Sequence, residues 1–128
     1  MVLGTGIDII EVARIQRAIS RHGERFLNRI FTPREQAYCN KFSKNQCARY
    51  AGRFAAKEAV SKALGCGLGA LISWLDIEVH SLPSGQPELI LSEPASRHFR
   101  KPRLILSISH CESIATALAI WVACEPES

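Results

Sequence analysis

Residues 45–64 read as helix from end to end, and no other stretch of the chain does so over a comparable length. The segment is rich in alanine and is closed by Gly65 and Gly67, which can take the left-handed conformation in which helices commonly stop. Its central part, GRFAAKEAVSKALGCG, sets Arg53, Lys57 and Lys62 around a single acidic residue, Glu58. At about 100° per residue, Arg49, Arg53 and Lys57 stack on one side. Glu58 and Lys62 fall on a different face, with Cys47, Ala51, Phe54 and Ala55. An exposed Glu58–Lys62 pair would contribute only roughly 0.2–0.5 kcal/mol. A carboxylate among small apolar side chains must have a cation nearby or be costly to desolvate, so the sharper expectation is a metal or a metal-bound phosphate. Gly52, inside the helix at a cost of about 1 kcal/mol relative to alanine, predicts close packing against that point.

The segments around this helix set the fold class. Residues 2–10 are rich in branched side chains and read as a strand. Val12, Ile15 and Ile19 then repeat at helical spacing over residues 12–21, up to Gly23. TPRE, from Thr32 to Glu35, predicts a helix start with Thr32 as N-cap, Pro33 in the first turn and Glu35 closing a capping box; that helix should run to about residue 42. Residues 74–82 and 88–92 read as strands around PSGQP, and 94–100 as a short helix. Residues 103–111 and 114–124 are nearly continuous apolar runs, read as a hairpin of buried strands. A strand, then helices, then antiparallel strands is an α+β order. With 128 residues, 47% of them apolar, the chain suits a single domain over residues 1–128.

Composition narrows the function classes. MVLGTGIDII has no basic leader and interrupts its apolar run with Asp8, so it does not read as a signal peptide. No apolar run approaches the roughly 20 residues of a membrane span. The five cysteines form no CxxC pair and no zinc spacing, and their odd number argues against a closed disulfide framework. A soluble, cytoplasmic protein with reduced thiols is expected. The net charge of +4 is unevenly spread: Lys41, Lys44, Arg49, Arg53 and Lys57 fall between Glu35 and Glu58 with no acid among them, and Arg14, Arg17, Arg21 and Arg25 form a second cluster. Such surfaces attract phosphates or an acidic protein. A nucleic-acid module on the Arg49–Arg53–Lys57 stripe is a competing reading, but it lacks aromatic interleaving and any RRM, KH or zinc signature, and leaves Asp8 and Glu58 without a task. A non-catalytic adaptor for acidic proteins is a further alternative.

Two more stretches carry chemistry. In GTGIDII, Gly4, Gly6, Asp8 and Ile10 share one strand face, where two absent side chains leave room beside a carboxylate. Leu3, Thr5, Ile7 and Ile9 share the other face, which reads as plain core. Asp8 as a helix cap, with the glycines marking a bulge, weighs equally with a functional role here. In LSISHC, His110 ends an apolar strand before a turn, with Ser107 and Ser109 on the opposite face. Two carboxylates on separate elements, a nearby lysine and surrounding cations match Mg²⁺ holding a diphosphate, since Mg²⁺ takes oxygen ligands from one or two carboxylates plus substrate phosphates.

Taken in order, GIDIIEVARI, RFAAKEAVSKALGCG, WLDIEV and LSISH resemble the holo-acyl-carrier-protein synthases, the small phosphopantetheinyl transferases, over nearly the whole chain. The resemblance implies transfer of 4′-phosphopantetheine from coenzyme A to a serine of apo acyl carrier protein, with release of adenosine 3′,5′-bisphosphate, serving fatty acid biosynthesis. It implies a homotrimer with active sites between subunits. By the motif match, Asp8 and Glu58 hold Mg²⁺ on the diphosphate and Lys62 neutralises phosphoryl oxygens. Glu58, directly or through a water on the metal, takes the serine proton. Arg53, Ser61, Lys62, Gly65 and His110 are implied in coenzyme A binding, and Arg14 in facing the acidic helix of the carrier protein. Arg21 and Arg25 join Arg14 on charge alone. No nucleic acid and no membrane is implied as a partner. Cys66 and Cys111 depart from the family pattern, which commonly has G-T-G after the helix and a polar residue after the histidine.

Overall fold

The computed structural model describes residues 1–124. The chain opens with strand β1 (Val2–Glu11), followed by helices α1 (Val12–His22), α2 (Glu24–Ile30), α3 (Pro33–Asn40) and α4 (Gln46–Ala63). A short 3-10 turn (Trp74–Asp76) leads into β2 (Ile77–Ser81) and β3 (Pro87–Leu91); α5 (Glu93–His98), β4 (Arg103–His110) and β5 (Ile114–Val122) follow. β1, β5 and β4 form one antiparallel sheet in that order, while β2 and β3 form a separate antiparallel hairpin. The α+β order is the one the sequence predicts.

Small residues set how α4 sits on the sheet. Ala51, Ala55, Ala56, Ala59 and Ala63 of α4 are buried, as are Ala115, Ala117 and Ala119 of β5. Gly4 and Gly6 of β1 lie under the helix so closely that a Cβ on either would come within 2.0 Å of a backbone oxygen, that of Ala63 and Ala59 respectively. The space that the glycines leave beside Asp8 is therefore filled by the backbone of α4. Gly52 plays a lesser form of the same part, since a Cβ there would meet Ile108 Cγ2 at 3.0 Å. This is the close packing its place in the helix predicts.

The sheet face turned away from α4 corrects one expectation. The alternation places Leu3, Ile7 and Ile9 in the core, yet Ile7 is 65% and Ile9 67% exposed in the single chain. Ile105 on β4 and Leu118 on β5 continue the same face, and both are also exposed. Ile7 pairs with Leu118, and Ile105 with Ile120, so the apolar side chains form one patch across three strands. Continuous apolar runs suggest strands buried on both faces; here α4 covers only one.

Local differences have local causes. Gly23, with φ +51, ends α1 by donating to Ile19 O at 2.7 Å, but the chain enters α2 at once, a seven-residue helix that no sequence pattern predicts. The pattern predicts strand from residue 74, but Asp76 turns back to accept from Ser73 N at 2.8 Å and from the Ser92 hydroxyl at 2.6 Å, which fixes a 3-10 turn over 74–76. The Thr32–Glu35 capping box forms as expected, although α3 stops at Asn40.

Lys57 is the other correction. It is completely buried instead of continuing a basic stripe. Its ammonium donates to Glu35 Oε1 at 2.7 Å, Ile30 O at 2.7 Å and Trp74 O at 3.0 Å, which ties the ends of α2 and α3 to the turn before β2. Glu35 also accepts from Val79 N at 2.9 Å. Burial holds the Lys57 ammonium below the usual lysine range, and the Glu35 carboxylate offsets only part of that effect. No helix among the described residues is long and apolar enough to cross a membrane. All five cysteines are free thiols.

Candidate active site

The place where β1 runs under the C-terminal half of α4 gathers the predicted chemistry. Lys62 Nζ donates to Asp8 Oδ1 at 3.1 Å and to the Ile7 carbonyl at 3.0 Å, joining helix to strand. Across the sheet, Thr116 Oγ1 donates to Asp8 O at 2.9 Å and holds that strand residue in register with β5. Asp8 does not cap α1, whose N-cap is Glu11. Glu58 sits one helical turn before Lys62. Burial first, and then the negative charge of Asp8, push its carboxyl above the usual range, with Lys62 acting in the opposite direction. Two carboxylates thus face one ammonium, and an added cation would relieve the excess negative charge. Among the described residues no group of three or more His, Cys, Asp or Glu side chains is placed to hold a metal. The protein itself offers Asp8 and Glu58, both hard oxygen donors. Any metal they hold must complete its ligands from water and substrate.

Ser61 and Gly65 shape the end of this region. Ser61 is fully buried and its hydroxyl donates to the Glu58 carbonyl at 2.7 Å, so its side chain is committed within the helix and has no surface to offer a ligand. Beyond it, Gly65 and Gly67 take φ of +79 and +66, and the amides of Cys66 and Gly67 both donate to Ser61 O at 3.2 Å. That is the left-handed helix ending expected of them.

Arg53 and His110 come together elsewhere. With Arg49 they line a cavity of about 130 Å³ bounded by Gly52, Gly85 and Pro87. Arg53 is only 5% exposed; one terminal nitrogen donates to Ser81 Oγ at 2.9 Å and its guanidinium lies 4.3 Å from the centre of the Tyr38 ring. Arg49 precedes Glu58 by nine positions, as Arg53 precedes Lys62, so each leaves α4 half a turn from its acidic-site counterpart. The carboxylates and the arginine cleft therefore occupy opposite sides of one helix. Arg14, Arg21 and Arg25 are exposed on α1 and α2, and Arg17 and Arg29 extend that basic surface.

The sequence reading missed Tyr38 and Ser81, which fix Arg53, and the tie between Glu35 and Lys57. Glu35 already had a complete assignment in the capping box, so nothing pointed to its second task. For Tyr38 and Ser81 no sequence signal exists, because their contacts join different elements.

A sequence profile for the 4′-phosphopantetheinyl transferase superfamily matches residues 4–119, a span that includes both groups of residues. The chain belongs to that family. Within the superfamily it falls with the holo-[acyl-carrier-protein] synthases, and it is an enzyme of that class. It is 51% identical over 121 residues to the holo-[acyl-carrier-protein] synthase of Protochlamydia amoebophila, a match covering 94% of this chain and 98% of that protein. The synthase of Chlamydia pneumoniae is 48% identical over 122 residues, covering 95% and 98%. The crystal structure of the Helicobacter pylori synthase in complex with coenzyme A superimposes with a TM-score of 0.84 at 37% identity, over 92% of this chain and 99% of that one. The Neisseria meningitidis synthase gives a TM-score of 0.88 at 32% identity, over 96% and 100%.

Proposed function

We propose that this synthase transfers 4′-phosphopantetheine from coenzyme A to a serine of apo acyl carrier protein, in a Mg²⁺-dependent reaction that releases adenosine 3′,5′-bisphosphate. The observation that carries the reading is the Asp8–Glu58–Lys62 cluster at the β1–α4 crossing, in a chain that resembles a coenzyme A complex over nearly its full length. Asp8 and Glu58 hold the metal, which when bound neutralises charge on the diphosphate oxygens. Lys62, anchored on Asp8 and the Ile7 carbonyl, presents its ammonium to the phosphoryl oxygens as charge builds there. A Glu58 carboxylate oxygen takes the proton from the attacking serine hydroxyl. The serine oxygen bonds to the phosphorus that bears pantetheine, and the bond to the adenosine bisphosphate breaks.

Arg14, with Arg21 and Arg25, faces the acidic carrier protein. Arg53, Lys62, Gly65 and His110 contact coenzyme A, and Ser61 serves by bracing the Glu58 turn. The working form is a homotrimer with each site shared between neighbours. Two observations favour it: the apolar sheet face of Ile7, Ile9, Ile105 and Leu118 is uncovered in one chain, and the two halves of the site lie on opposite sides of α4. The product, holo acyl carrier protein, serves fatty acid biosynthesis in the cytoplasm, where unpaired thiols persist.

The test is the mass of purified apo acyl carrier protein after incubation with the enzyme, coenzyme A and Mg²⁺. A gain of one phosphopantetheine is expected, and none when Mg²⁺ is chelated. An unchanged mass with Mg²⁺ present overturns the activity, and an equal gain under chelation overturns the metal.

A further inference from the structure

The turn between α5 and β4 concentrates charge that the transfer reaction does not use. Arg97, His98, Arg100, Lys101 and Arg103 are all exposed there. Among the described residues only Arg97 of this set is in an ion pair, with Glu93. Arg100 and Lys101 have φ of +59 and +53, the left-handed region that a residue with a Cβ enters at a cost in stability. Lys101 also precedes Pro102, where extended backbone is favoured. The turn closes nonetheless, with the amides of Arg100 and Lys101 donating to Arg97 O at 3.2 Å and Ser96 O at 2.7 Å. Glycine would close it without strain, and strain of this kind collects where side chains have a task.

The task is visible beside the turn. β3 and β4 pack against each other without joining into one sheet. A cavity of about 360 Å³ opens between them, lined by Lys101 and Arg103, by the half-buried Leu89, Leu91 and Leu104, and by Ser96. No acid lines it. A second cavity, of about 270 Å³, shares Leu89 and Leu104 with the first and continues along the gap past Leu82 and Leu106. Its one acid, Glu88, is the only acid on either cavity. Aliphatic walls with two cations at one end and an acid at the other match an unbranched chain that carries its anion at one end only. A compact anion would leave the leucines uncovered, and a neutral chain would leave Lys101 and Arg103 unused. We infer that the β3–β4 gap binds a medium-chain fatty carboxylate, with its head on Lys101 and Arg103 and its chain along Leu89, Leu91 and Leu104. The cavity that holds the head shares no residue with the arginine–histidine cleft or the carboxylate cluster, so the inference stands apart from the transfer reaction.

The experiment is a calorimetric titration of the full-length protein with decanoate below its micelle concentration, with butyrate, decanol and anionic phospholipid vesicles as comparisons. Decanoate should saturate a single site per chain. From butyrate upward, affinity should rise by about fourfold per methylene until the gap is filled. Decanol should bind at least about tenfold more weakly than decanoate, the scale of one charge-assisted hydrogen bond. Lys101→Gly relieves the left-handed strain and removes a cation, so Tm should rise while decanoate affinity falls about tenfold. A merely structural turn would not separate the two readouts in this way. Arg100→Gly relieves the same kind of strain away from the cavity, and its decanoate affinity should stay within about twofold. Arg103→Gln should weaken binding as Lys101→Gly does. Decanol binding as tightly as decanoate, uptake that never saturates, or unchanged affinity in both Lys101→Gly and Arg103→Gln overturns the inference. Binding to the vesicles without binding of free decanoate overturns it too, and would assign the basic turn to a lipid surface.

Discussion

Replacing Gly6 by alanine would place a methyl group 2.0 Å from the Ala59 carbonyl oxygen and 2.8 Å from the Ala63 amide nitrogen. Both are backbone atoms of the packed C-terminal half of α4, so no rotamer change relieves the overlap. An ordinary carbon–oxygen contact needs more than 3 Å, and β1 and α4 must separate by about 1 Å to restore it. Overpacking of a core typically costs about 1–3 kcal/mol, and the upper end applies where only backbone can yield. For a chain of this length that is a fall of roughly 10 °C in Tm. The functional loss should be larger in proportion. Asp8 lies two residues beyond Gly6, and its 3.1 Å bond to Lys62 crosses the interface that is pushed apart. A displacement of about 1 Å at reacting groups can lower a rate by about 10². The assay pairs thermal unfolding with kcat for carrier-protein modification, using Gly52→Ala as the comparison. At Gly52 the near atom is the end of the Ile108 side chain at 3.0 Å, which can shift, and alanine regains about 1 kcal/mol of helix propensity, so Tm should change little. Gly6→Ala with unchanged Tm and kcat would refute the account of how glycine fixes the site.

Other expectations follow from the same geometry. Lys57→Met strands the Glu35 carboxylate in the core and should lower stability by about 3–5 kcal/mol, read from the urea midpoint; Glu35→Gln, which keeps an acceptor for Val79 N, should lose less. Glu58→Gln should raise Tm in metal-free buffer near neutral pH. Its carboxyl is raised in the folded chain above the ordinary 4.5, so the ionised form destabilises the fold above the folded pKa; that penalty fades as pH falls through it, and the gain should vanish by about pH 4. Raising salt should increase KM for carrier protein more than KM for coenzyme A, and Arg14→Glu should show the same bias at fixed salt; an unchanged carrier KM in that variant removes Arg14 from the docking surface. Mixing inactive His110→Ala with inactive Glu58→Gln should restore activity after subunit exchange, and no recovery with exchange demonstrated would place the whole site within one chain.

Much of this molecule is legible in its sequence because alternation and helical spacing say which residues share a face. They do not say what covers that face. Gly4, Gly6, Asp8 and Ile10 do lie together on β1, and Leu3, Ile7 and Ile9 lie together on the other side, yet the apolar set is the exposed one. Arg49, Arg53 and Lys57 do follow one another along α4, but Lys57 is sealed against Glu35, while Arg53, held by Tyr38 and Ser81, lines a cleft. Pattern fixes direction, and partners fix burial. The same distinction bears on the site. The K-E-A-x-x-K spacing is local, so Glu58 and Lys62 can be placed from sequence, with Asp8 brought to them by the glycines of β1. The arginine cleft depends on contacts from Tyr38, Ser81 and His110, residues far apart in the chain, and no local period encodes it. In the proposed homotrimer, burying the uncovered apolar face between copies of the chain would bring the carboxylates of one subunit and the arginine cleft of another within reach of one ligand.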